Sequence, residues 1–131
     1  MWLPPEVSKD IPLLNSLDIA ASMIKTGGIT SLVRGMKFDA GMAKRKRDEP
    51  FCYLFSIGTT PEGRGKGIGG RLMDAGLKVV DEKRMPVYLE SSKESNITFY
   101  RRYGFEIVEE YCPVRGCPPL WLMWRKAKTV N

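Results

Sequence analysis

Four glycines in seven residues, Arg64-Gly65-Lys66-Gly67-Ile68-Gly69-Gly70, stand between an apolar run, Tyr53-Leu54-Phe55-Ser56-Ile57, and a stretch of helical periodicity. A strand, a glycine-rich turn and a helix in that order restrict the fold more than any other feature of the chain. Without a Cβ in the way, successive backbone N–H groups can approach an anion closely. The start of a helix adds unpaired N–H groups and the positive end of its dipole. Arg64, Lys66 and Arg71 supply full charges, so the stretch reads as a phosphate cradle. Glycine-rich turns that bind nothing are also common, and the named templates have to separate the cases. A Walker A loop needs Ser or Thr after Gly-Lys to hold a metal, and Gly67 follows Lys66, so that template fails. The dinucleotide pattern GxGxxG is met by Gly65, Gly67 and Gly70, with Glu90 about 20 residues onward at a strand end, and a NAD-type binding domain stays open.

A chain of 131 residues is long enough for one core, and residues 1–131 read as a single domain. No apolar stretch has the length of a membrane span, and no signal peptide is visible at Met1, so the expectation is a cytoplasmic protein with no membrane partner. Three cysteines, Cys52, Cys112 and Cys117, make no disulfide framework, and reduced thiols are expected. Histidine is absent, which removes an imidazole base and a Cys-His nucleophile and leaves no metal site. Of the net charge of +6, Lys44-Arg45-Lys46-Arg47 supplies four. That cluster could serve as a nuclear address or a nucleic-acid patch, but a solvated linker explains it as well, and nucleic acid is not the expected partner.

Met1-Trp2-Leu3-Pro4-Pro5 resembles a strand end running into a turn. From Ser8 to about Lys46 the spacing predicts helix, with Ile11, Leu14, Leu17, Ile19 and Met23 in phase, a break at Gly27-Gly28, and Leu32 and Val33 turned inward. Phe51 to Ile57 has the composition of a buried strand. The helix after the loop is expected to bury Ile68, Leu72, Ala75, Gly76, Val79 and Val80. Val87 to Glu90 should be a strand with Tyr88 and Glu90 on one face and Val87 and Leu89 on the other. Strand, loop, helix and strand make a βαβ unit with parallel strands, and a ligand would sit at the carboxyl end of the first. A short helix capped by Ser95 or Asn96 and ended by Gly104 follows, with Asn96 and Tyr100 on one face. Phe105 to Tyr111 and Leu120 to Arg125 should pair antiparallel.

Taken together, Pro61, Arg64-Gly65-Lys66-Gly67-Ile68-Gly69, Leu89-Glu90, Asn96, Phe99-Tyr100 and Gly104-Phe105 resemble the GNAT N-acetyltransferase family, whose loop [Arg/Gln]-x-x-Gly-x-[Gly/Ala] is met by Arg64, Gly67 and Gly69. Trp2-Leu3-Pro4-Pro5, the helical insert and Trp121-Leu122-Met123-Trp124-Arg125 are similar to the group containing puromycin N-acetyltransferase. The resemblance implies an α/β fold: a mixed sheet with a central parallel pair, helices on both faces and antiparallel C-terminal strands, with residues 1–50 a helical insert and 51–126 the acetyl-CoA-binding core. It implies acetyl-CoA as cofactor and a small-molecule primary amine as acceptor. The amides of Arg64, Gly65, Lys66, Gly67, Ile68, Gly69 and Gly70 would hold the pyrophosphate. The pantetheine arm would lie along Ile57, Gly58 and Thr59, and Asn96 would touch it. Tyr100 would be the acid for the departing thiolate, also bordering the cofactor, and Glu90 the carboxylate best placed as base. Tyr100 as plain packing and Glu90 as a carboxylate tied to its neighbours are the competing readings. Relatives often carry His-Trp at Phe51-Cys52 and Val at Thr59. They also have strands before the position matching Trp2, so the expectation is a fragment or a truncated gene model, or a homodimer in which a second copy covers the sheet edge. A CoA-binding module without catalysis is the further alternative.

Overall fold

The computed structural model describes residues 1–7, 17–45, 47–112 and 114–129. Its strands are β1 (Trp2–Leu3), β2 (Cys52–Leu54), β3 (Val87–Ser91), β4 (Glu106–Tyr111) and β5 (Leu120–Arg125), and its helices α1 (Leu17–Ala43), α2 (Ile68–Glu82) and α3 (Ile97–Arg102). The chain divides into two compact units. One comprises Met1–Ser8, Glu49–Tyr111 and Pro119–Asn131, the other Lys9–Asp48 and Cys112–Pro118.

The first unit is built on a five-stranded sheet in the order β1-β2-β3-β5-β4. Only β2 and β3 run parallel; β1 with β2, β3 with β5 and β4 with β5 are antiparallel. A parallel pair needs a long crossover, and α2 supplies it. This is the mixed α/β sheet with a parallel pair that the sequence led us to expect. One face carries Cys52, Leu54, Val87, Leu89 and Met123, packed with Met73, Leu77 and Val80 of α2, Ile97 and Tyr100 of α3, and Phe105. Alternation along β3 holds: Val87, Leu89 and Ser91 are buried, Tyr88 and Glu90 half-buried.

Several expected elements differ in extent or facing. The strand expected over Phe51 to Ile57 is regular only from Cys52 to Leu54. The N–H groups of Phe55 and Ser56 both donate to Met1 O, at 3.1 and 3.3 Å, and two successive amides on one acceptor end the ladder. On α2 the buried line is Met73, Leu77 and Val80, while Leu72 and Val79 are exposed. Between these lines Gly76 faces the Trp2 indole so closely that a Cβ there would lie 2.1 Å from the ring. Asn96 takes the N-cap position of α3 without a side-chain cap bond. Gly104, at φ 84°, does end the helix, its N–H donating to Arg101 O.

In the second unit α1 is kinked at Gly28, whose φ of 71° and ψ of −176° interrupt the helix, as the Gly27-Gly28 pair foretold. The expected helical residues 8–16, with Ile11 and Leu14, and Lys46 lie outside the described residues. Val33 is exposed rather than inward, and Leu32 is half-buried. Cys112 and Cys117 form a disulfide, where reduced thiols were expected; a turn with Gly116 at φ 79° brings their Cα atoms to 6.0 Å. Cys52, in the first unit, is a free and buried thiol.

Candidate active site

The loop after β2 contains a 3-10 turn, Pro61–Gly63, that consumes the Gly63 and Arg64 amides on Thr60 O and Pro61 O. The ladder of α2 resumes at Arg71, whose N–H donates to Gly67 O at 3.1 Å. Between them the six amides of residues 65–70 have no acceptor among the described residues. Gly65 and Gly67 hold φ of 74° and 70°, and Gly67 is the helix N-cap. These left-handed conformations turn the chain sharply and are inexpensive only for glycine. The space at both Cβ positions is open, so nothing crowds an approaching anion. Arg64, Lys66 and Arg71 are exposed without an acidic partner among the described residues, and the first turn of α2 carries no acid. The Arg64 N–H, expected among the loop donors, is bonded to Pro61 O, while its side chain is exposed. Ile57, Gly58 and Thr59 follow the end of β2, and their amides likewise find no acceptor among the described residues.

On the sheet face away from the core, Glu90 Oε2 accepts a hydrogen bond from the Tyr53 hydroxyl at 3.0 Å and Oε1 accepts one from Tyr88 at 3.1 Å. Parallel register puts Tyr53 beside Tyr88, and their rings stack at 5.6 Å. Burial, the Glu90 charge and the hydrogen bond to it, in that order, push both phenols far above their ordinary value, so both stay protonated donors. Spacing along the sequence did not single out Tyr53. The alternation that pairs Tyr88 with Glu90 would have found it once β2 and β3 were set in register.

Tyr100 lies in α3 with its ring packed against Phe99 and Phe105 at 5.5 and 6.0 Å. Burial alone raises its phenol above the usual value. Its hydroxyl donates to no described residue, and no buried side-chain N or O atom among them lacks a partner, so that oxygen meets the surface. Asn96, four residues earlier, is exposed, so the two share a helix line but not an environment.

A cleft of about 790 Å³ opens elsewhere, beside the last turns of α2, with Asp74, Asp81, Arg102, Tyr103, Trp124 and Arg125 in its wall. None of the catalytic or cofactor-binding residues expected from sequence lines it. Inside, Arg125 grips Asp81 through both guanidinium nitrogens, Nη1 to Oδ1 at 2.7 Å and Nη2 to Oδ2 at 3.0 Å, and donates from Nε to Tyr103 O at 2.9 Å. Lys128 approaches Asp81 Oδ2 at 3.1 Å. Burial opposes the Asp81 charge, but the bonds and charges of Arg125 and Lys128 outweigh it and hold the carboxyl below its ordinary range.

A parallel strand pair with an amide-rich loop at its carboxyl end defines an α/β domain of the class in which ligands bind beyond the carboxyl ends of the strands. Comparison with known proteins narrows the class: the acetyltransferase (GNAT) domain family matches residues 28–107, and the chain belongs to that family of acetyl-CoA-dependent acyltransferases. It is 35% identical over 65 residues to the mycothiol acetyltransferase of Corynebacterium aurimucosum, covering 47% of this chain and 21% of that one. To an uncharacterized N-acetyltransferase of Schizosaccharomyces pombe it is 30% identical over 87 residues, covering 65% and 35%. The chain thus spans about a fifth and about a third of the lengths of these two relatives. The crystal structure of histone acetyltransferase HPA2 and related acetyltransferase from Corynebacterium glutamicum is similar in fold, with a TM-score of 0.58, 23% identity, and coverage of 66% of this chain and 46% of that one.

Proposed function

We propose that this domain holds acetyl-CoA by its pyrophosphate at residues 65–70 and passes the acetyl group directly to a primary amine of a small molecule. The observation that carries this reading is the row of six amides without acceptors among the described residues, opening onto free space at the start of α2. A pyrophosphate needs several amide donors with cations around them, and residues 64–71 carry six such amides and three exposed basic side chains. Arg64, Lys66 and Arg71 add charge around it. Ile57, Gly58 and Thr59 offer amides to the amide-bearing arm in the manner of an added strand. Acetyl-CoA, when bound, supplies an acetyl group already activated as a thioester.

The chain's own residues then have two protons to manage. An ammonium with pKa near 10.4 costs roughly 4.6 kcal/mol to deprotonate at pH 7, so a proton acceptor is needed. Glu90 fills that role through water, its carboxylate oriented by the Tyr53 and Tyr88 hydroxyls. Tyr100 keeps its phenolic proton at neutral pH because its ring is buried, and its surface-facing oxygen can give that proton to a leaving thiolate. Asn96 stands exposed at the head of the same helix, where it would border the cofactor arm. The resemblance to the puromycin N-acetyltransferase group supports a small amine acceptor, and we place the domain beside that group.

Calorimetric titration with CoA, and separately with NAD, tests the cradle. Gly67→Glu forces a side chain into a φ of 70° and sends it into the open space of the loop. CoA binding weakened by on the order of a hundredfold in the variant, with no NAD binding by either protein, is the expected result. NAD binding in place of CoA would select the dinucleotide reading. CoA binding without acetylation of any amine in a screen would leave a binding module.

A further inference from the structure

Arg125 is a buried cation bound at the end of α2 opposite the loop. It is 6% exposed, and its guanidinium is spent on Asp81 and Tyr103 O. The three elements it joins are those that carry the groups of the proposed reaction. Asp81 stands in the last turn of α2, the helix whose first turn forms the cradle. Tyr103 is the C-cap of α3, three residues beyond Tyr100, and its N–H donates back to Tyr100 O at 3.0 Å. Arg125 itself pairs with Val87, the first residue of the strand that carries Glu90. The ring of Tyr103 extends the link, since its hydroxyl lies 3.0 Å from where a Cβ on Gly70 would stand, and its ring packs on Phe99 at 5.2 Å.

We propose that Arg125, through its fork to Asp81 and its bond to Tyr103 O, is a positioning residue that sets the phosphate cradle, Tyr100 and the Glu90 strand relative to one another. The inference rests on the function proposed above, and Arg125 acts without touching substrate or cofactor. Arginine alone has the shape this requires, because its planar fork fills both carboxylate oxygens while Nε reaches a third acceptor, whereas a lysine has one nitrogen for all of them. Misplacement of a donor by about 1 Å can lower a rate on the order of a hundredfold, so a small relaxation here would be visible in turnover.

The test compares Arg125→Lys and Asp81→Asn with Val80→Ala, a core truncation on the same helix that serves as the stability control. Two readouts are taken in the full chain: amide hydrogen exchange over residues 71–76, the first hydrogen-bonded amides of α2, and 99–104 without ligand, and kcat and KM for acetyl-CoA. Expected for both Arg125→Lys and Asp81→Asn are faster exchange in the two segments and a kcat loss of about tenfold or more beyond that of Val80→Ala. Exchange in the two segments that matches Val80→Ala at equal loss of stability overturns the proposal, whatever the kinetics. If the parent protein binds no CoA, the functional reading fails by itself, and exchange alone then decides whether Arg125 positions the segments.

Discussion

Tyr100 is the side chain on which the proposed chemistry can be checked most sharply. Removing its hydroxyl leaves the ring to pack on Phe99 and Phe105, so Tyr100→Phe should fold normally. Turnover should fall by on the order of a hundredfold, with a smaller change in CoA affinity, measured by steady-state kinetics beside calorimetry. Unchanged turnover would return Tyr100 to a packing role. Asp81 makes a different prediction, on pH. Its carboxyl is held below the ordinary value in the folded chain, so the stability this contributes is fully present above the unfolded value near 3.9 and is lost as pH falls through the folded value. Asp81→Asn should therefore lower stability at pH 7 by about 2 kcal/mol while flattening the acid limb of the unfolding curve. Denaturant melts between pH 2 and 7 would show it, and parallel acid limbs in the two proteins would refute it.

At the level of helices and strands, Gly76 shows how much a single contact can decide. With the Trp2 ring against it, Gly76→Ala must push the indole away and should cost about 1 to 3 kcal/mol, a loss that largely disappears when Trp2→Ala is made in the same chain. Additive losses in that double-mutant cycle would mean that the ring is not seated there. Contacts between residues far apart in sequence also explain part of what sequence could and could not disclose. The βαβ unit was legible because its signals are local: an apolar run, glycines, then helical periodicity. Alternation along β3 and the break at Gly28 were legible for the same reason. The buried side of α2 was not, because an apolar stripe of Ile68, Leu72, Val79 and Val80 is as good a pattern as Met73, Leu77 and Val80, and the choice rests on packing against residues distant in sequence. The Tyr53–Glu90 bond and the Asp81–Arg125 fork span 37 and 44 residues, and no spacing rule connects such positions. The Cys112–Cys117 pairing was missed because cysteine counting addresses frameworks, whereas this bridge depends on a turn at Gly116.

For the folded domain, ligand binding at the proposed cradle would be linked to the melting temperature by mass action. A ligand that binds only the native state at about a hundred times its Kd adds about 2.7 kcal/mol, which for a chain of this size raises Tm by several degrees, roughly 10 °C. CoA should produce that shift in the parent and not in Gly67→Glu; an equal shift in both would place the binding elsewhere, with the cleft beside α2 the first region to inspect. The sheet leaves β4 at one margin, and there Glu106, Glu109 and Glu110 and a register shift between Ile107 and Glu109 discourage pairing with another chain. Cys52 has a consequence of another kind. With Cys112 and Cys117 bonded to each other, it is the sole thiol of the chain, buried at 6% exposure in the strand that leads to the cradle, and burial pushes its pKa up. Alkylating reagents can therefore reach it only when that strand opens, so the rate of a single mass increment is a clock for breathing of the sheet, read without adding a dye or altering a residue.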